Sequence, residues 1–127
     1  MASKMTHTKA FEHFGAKPAN PRWSWSARCP KGVVATFWQD LFKKRDGKLV
    51  YADSLKGNMR HGARELMRNL AHAWANFNGE LKVIIAVPKD ANAAQRSIKV
   101  CFPSKLIMRL VHLDLETGAF VAEVTTA

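Results

Sequence analysis

The sequence predicts an α+β domain: a mostly antiparallel sheet of five to seven strands with one long and one short helix. Three observations carry this. Between Gly57 and Phe77, Met59, Ala63, Leu66, Met67, Leu70, Trp74 and Phe77 recur at helical spacing and form one apolar face. LKVIIAV, residues 81–87, is an unbroken apolar run ended by Pro88, as expected of a strand buried on both faces. Asp46-Gly47 in RDGK and Gly118 in DLETGAF are turn signals that join neighbouring runs as antiparallel hairpins.

The elements follow in order. Residues 6–14 form a short helix: Thr6 caps it, Phe11 and Phe14 share a face, and Gly15 ends it. AKPANP then breaks regular structure, because each proline disfavours helix at the residue before it. Residues 22–51 hold strands: Arg22 to Arg28 and Val33 to Phe42 are joined by the turn CPKG, and RDGK leads into Leu49-Val50-Tyr51. The long helix, 57–77, stops at Asn78-Gly79. Four strands fill 81–125, at 81–87, 96–102, 106–115 and 120–125. Such a sheet can curl into a barrel around the long helix. Trp38 and Trp74 sit within apolar patterns and are expected in the core, with Leu70 and Trp74 against the 81–87 strand.

Composition bounds the class. The 127 residues make a single domain, 1–127, and at 47% hydrophobic and 24% charged the chain is globular. Cys29 and Cys101 form no metal or redox motif, which points to free thiols in a reducing cytoplasm. MASKMTHTKAFEHFG lacks the apolar run of a signal peptide, and no segment reaches the length of a membrane span. A cytoplasmic protein with no membrane partner is expected.

Charge is the functional signal. Twenty Lys and Arg oppose ten Asp and Glu, a net +10, which favours polyanionic partners. Residues 1–79 carry 14 basic and 5 acidic residues; residues 80–127 carry 6 and 5. A merely solubilising charge has little reason to be so uneven. On the long helix Lys56, Arg60, Arg64 and Arg68 are spaced by four, and His72 continues the series. Each step of four advances about 40°, so these cations form a band of roughly 120° beside the apolar face. Glu65, the one acidic residue of this helix, lies beyond the edge of the band. Lys43, Lys44 and Arg45 form a second cluster beside the RDGK turn, and Arg22, Arg28 and Lys31 a third.

PRWSWSARCPKG, 21–32, sharpens the third cluster. In an extended strand Trp23, Trp25 and Ala27 point one way while Arg22, Ser24, Ser26 and Arg28 point the other. The polar face offers donors to phosphate oxygens. The indoles either enter the core or stack on a base, which is worth about 1 to 3 kcal/mol per base.

Catalysis has little support. Histidines 7, 13, 61, 72 and 112 lack paired-ligand spacing, and there is no Walker loop, G-x-G-x-x-G or G-x-S-x-G. No cofactor or metal site is expected. Glu80-Leu81-Lys82 has the E-x-K spacing of metal-dependent nucleases, with Asp53 or Asp40 as the further acid such chemistry requires.

NPRWSWSA (20–27), GVVATFWQD (32–40) and GNMR (57–60) resemble motifs of a group of small uncharacterised bacterial proteins. That likeness spans roughly the whole chain and implies no activity. A compact mixed barrel with a basic, aromatic-rich opening also resembles, at the level of fold, the PUA-like domains that include the EVE and ASCH modules. This resemblance implies RNA or a modified DNA base as ligand.

The expected function is therefore a non-catalytic nucleic-acid-binding domain, for DNA or RNA. Its binding residues are Arg22, Trp23, Trp25, Arg28, Lys31, Lys43, Lys44, Arg45, Lys56, Arg60, Arg64 and Arg68. The alternative is an interaction module docking an acidic protein surface, as a phage or mobile-element regulator of host machinery would. A metal-dependent nuclease ranks third.

Overall fold

The computed structural model describes residues 6–18, 24–54, 61–92 and 98–125. Helix α1 (His7–His13) starts where the Thr6 side chain accepts from the Lys9 amide at 3.2 Å, and it ends before Gly15 in the left-handed region. Strands β1 (Ser26–Cys29) and β2 (Gly32–Trp38) are followed by a single 3-10 turn (Gln39–Leu41), then β3 (Phe42–Arg45) and β4 (Lys48–Ser54). Helix α2 (His61–Asn76) precedes β5 (Glu80–Pro88), β6 (Ile98–Asp114) and β7 (Ala119–Val124).

Two helices and one sheet make this an α+β fold. The strand order is β1-β2-β5-β6-β7-β4-β3, with five antiparallel neighbour pairs and one parallel pair, β2 with β5. Both faces of the central strands are used. Val33, Ala35 and Phe37 of β2 and Leu81 and Val83 of β5 pack towards Leu66, Met67 and Leu70 of α2. Val34, Ile84 and Ala86 face the other way, against Ala10 and Phe11 of α1. This two-sided burial explains the unbroken apolar run at 81–87.

The expected barrel does not form. Phe37 on β2 stacks on Tyr51 of β4 at 4.0 Å and 4°, so the sheet curls, yet β1 and β3 stay unpaired with one another as its two edges. Both edge strands are only four residues long, and β3 carries exposed Lys43, Lys44 and Arg45, features that discourage further pairing.

Other boundaries differ in instructive ways. The expected strands 96–102 and 106–115 are one 17-residue strand, β6, while 96 and 97 lie outside the described residues. Pro103 is tolerated inside it because the register with β5 shifts between Lys82 and Ile84, and Ser104 Oγ donates to the Val83 carbonyl at 2.6 Å. Positions 57–60 of the expected long helix lie outside the described residues, and its last turn ends at Asn76, before Phe77. Asn78 and Gly79 then both take positive φ. Glycine is required at 79: its φ is +79°, and a Cβ there would sit 3.1 Å from the Leu110 carbonyl oxygen.

Candidate nucleic-acid interface

Helix α2 lies with Leu66, Met67, Leu70 and Ala73 inward, which turns Arg64 and Arg68 outward, both exposed. They are one turn apart, about 6 Å along the axis. Lys56 and Arg60, the other members of the band, lie outside the described residues, as do Arg22 and Trp23. His72 is half-buried with its ring 5.7 Å from that of Phe77, and Asn76 donates to the His72 carbonyl.

Strand β1 brings a further cation to this helix. Arg28 is exposed, and its Nε donates to Asn69 Oδ1 at 2.9 Å. Asn69 Nδ2 in turn donates to Ser26 Oγ at 2.7 Å. The guanidinium donor therefore fixes which end of the Asn69 amide faces it, and both side-chain ends of Asn69 are satisfied. Lys31 is exposed in the turn to β2. On the other side of that turn, Lys82 Nζ lies 3.8 Å from where a Cβ on Gly32 would stand.

Over 25–28 the alternation expected for 22–28 holds for direction and fails for exposure. Ser26 and Arg28 face α2, but Ser24 and Ser26 are both buried, so among the described residues of that face Arg28 alone is exposed. The cause is that α2 covers this edge of the sheet and takes Ser26 as an acceptor. Trp25 is half-buried on the α1 side, its ring 5.0 Å from Trp38 and 5.6 Å from His7. His7 also stacks on Phe11 at 4.7 Å and shares a 2.6 Å hydrogen bond with Thr36 Oγ1. Burial there lowers the His7 pKa to about 4, so the ring is neutral at pH 7.

Lys43, Lys44 and Arg45 are exposed on β3, at the sheet edge opposite β1. The structure thus separates the predicted cations into two surfaces. One brings Arg28 to the turn of α2 that carries Arg68, one turn after Arg64, while Lys31 lies in the β1–β2 turn beside Gly32, whose Cβ position is 3.9 Å from the Phe77 ring past the end of α2; the other is the β3–β4 hairpin, where exposed Lys48 adds a fourth charge.

Two residues escaped the sequence patterns. Asn69 reads as a polar interruption, yet it is buried and couples β1 to α2. Glu65, placed beyond the basic band, is buried on the same side of α2, and its Oε1 has no hydrogen-bond partner. Their i,i+4 spacing was the available signal, since it puts both on one side of the helix. Trp74 errs in the other direction. Expected in the core, it is 49% exposed, because its position lies at the margin of the face that Leu70 and Ala73 centre on the sheet.

Glu80 is exposed at the start of β5, and among the described residues no three His, Cys, Asp or Glu side chains come together as a metal site. No helix among the described residues is long and apolar enough to cross a membrane. Compared with family models, curated proteins and solved structures, the chain matches none.

Proposed function

We propose that this α+β domain is a non-catalytic nucleic-acid-binding module that contacts phosphates through Arg64 and Arg68 of α2 together with Arg28 and Lys31 of the β1–β2 hairpin. The observation that carries this reading is the Arg28–Asn69 hydrogen bond. Asn69 is the chain neighbour of Arg68, so the bond brings the β1 cation to the same turn of α2 as an outward arginine. A nucleic-acid strand carries one charge per about 3.4 Å of axis, so arginines about 6 Å apart along a helix can each meet a phosphate. Arg64, Arg68 and Lys31 are all exposed, which suits contact with a polyanion. Free Cys29 and Cys101 fit a reducing, cytoplasmic setting.

Titration of the protein against duplex DNA, single-stranded DNA and RNA over a series of salt concentrations tests the proposal. Affinity should fall steeply and log-linearly with salt for at least one of them. An absence of binding to all three at about 50 mM salt would overturn it and leave an acidic protein surface as the partner the charge fits.

A further inference from the structure

We infer that the β3–β4 hairpin is a two-stranded ribbon that enters the major groove of duplex DNA; this rests on the nucleic-acid reading above and adds to it the form of the ligand. The hairpin closes through Asp46 and Gly47 at φ +52° and +79°, a two-residue turn whose twist matches that of the flanking strands. Its ladder pairs Phe42 with Tyr51, Lys43 with Val50, Lys44 with Leu49 and Arg45 with Lys48. The supporting strand β7 reaches only as far as Val50 of β4. Among the described residues the ribbon has no paired neighbour on the β7 side beyond Val50, and β3 is itself the sheet edge. A Cβ built on Gly47 would meet nothing within 4 Å, and residues 43–48 are all exposed.

The dimensions suit one groove. Val50 lies three residue steps from Gly47, about 10 Å at 3.4 Å per residue. The B-DNA major groove is about 12 Å wide and 8.5 Å deep and admits a two-stranded ribbon. The A-form RNA major groove is deep and too narrow for side chains to read.

The charges suit it as well. Lys44, Arg45 and Lys48 are exposed on the overhanging part, with Lys43 at its base, and Asp46 is the one acid. Strand alternation sets Lys43, Arg45 and Lys48 on one face and Lys44 on the other, so the ribbon presents cations to both groove walls. Lysines on an edge strand also discourage aggregation, which accounts for β3. Lys48 lies on β4 beyond its last pairing with β7, so it protects a local edge in the same way and also adds a cation to the ribbon.

The test compares wild type, a Lys44→Ala/Arg45→Ala/Lys48→Ala triple variant and Arg64→Glu. Each is titrated against a DNA duplex, an RNA duplex of the same sequence and the single DNA strand. Wild type should bind the DNA duplex at least about ten-fold more tightly than the RNA duplex. The triple variant should lose that preference, and its log–log salt slope on DNA should flatten by about 2.7, or about 0.9 for each contact removed. Methylating guanine N7, a major-groove atom, should weaken wild type and leave the triple variant unchanged. If the triple variant misfolds, Lys48→Gln should flatten the slope by about 0.9 while Lys48→Arg restores it. A triple variant with wild-type slope and preference overturns the ribbon, as does wild-type binding to RNA duplex or single strand equal to that for the DNA duplex. In those cases continued weakening by Arg64→Glu leaves the phosphate-binding reading intact. No binding by wild type at about 50 mM salt removes both.

Discussion

Arg28 of β1 and Asn69 of α2 are joined by a 2.9 Å hydrogen bond from Nε to Oδ1, and the other end of the same amide holds Ser26 Oγ at 2.7 Å. One buried side chain therefore bonds twice to β1, at the edge of the sheet, while the cation it orients remains exposed. Arg28 is anchored at Nε, and its planar fork carries four further N–H donors.

Replacing Asn69 with alanine separates the two roles of this bond. The protein loses two side-chain hydrogen bonds and leaves Ser26 Oγ buried without Asn69 as its donor, a cost of about 1 to 3 kcal/mol. A thermal melt should show this as a drop of roughly 3 to 12 °C. At a temperature where the variant is folded, binding should also weaken for duplexes of every sequence, because an unanchored Arg28 loses orientation and keeps its charge. A variant that melts lower and binds as wild type does would confine Asn69 to stability.

Trp74 and Leu70 show what the sequence carries and what it omits. Both lie on the apolar side of α2, and periodicity treats them alike; the sheet beneath reaches Leu70, which is fully buried, and leaves Trp74 49% exposed. The helices, the Asp46-Gly47 hairpin and the buried strand at 81–87 were legible because capping, turn chemistry and burial are local in sequence. Pairing is not local. Nothing in residues 96–115 announces that Ser104 repairs the ladder around Pro103, or that β3 and β1 end as separate edges. For the same reason the charges of Arg28 and Arg64 were readable, whereas the buried Asn69 that links their elements was not. Leu70→Ala should accordingly cost about 2 to 5 kcal/mol by chemical denaturation. Trp74→Ala should cost about 1 kcal/mol or less, since half of its surface is already in water. Equal losses would place Trp74 in the core after all.

His7 gives the fold a pH dependence with a definite sign. Burial among Phe11, Trp25 and Thr36 lowers its folded pKa to about 4, below the unfolded value of 6.5. Above pH 6.5 the ring is neutral in both states and costs nothing. Between the two values the unfolded chain binds the proton and the folded chain does not, so stability falls as pH falls towards 4. The full difference amounts to about 3 kcal/mol. His7→Phe should remove most of this slope while keeping the stack on Phe11. A wild type whose denaturation midpoint is flat between about pH 6.5 and 4 would contradict the burial of His7.

Arg64 is the sharpest test of a defined binding face, because it is exposed on the outward side of α2. A cation that contacts a phosphate releases condensed counterion on binding, adding about 0.9 to the magnitude of the log–log salt slope on duplex DNA, or about 0.7 on a single strand. Arg64→Glu should therefore weaken binding about equally for all sequences and flatten the slope by about one. Its melting temperature should stay within about 2 °C of wild type, as for other surface substitutions. Lys105 supplies the control: it is equally exposed, but on β6, in the last third of the chain, where basic and acidic residues nearly balance. Lys105→Glu makes the same change in net charge, so simple attraction between a cationic protein and a polyanion predicts equal losses for the two variants. A phosphate-facing α2 predicts that Arg64→Glu does much more, and the comparison at matched salt decides between them.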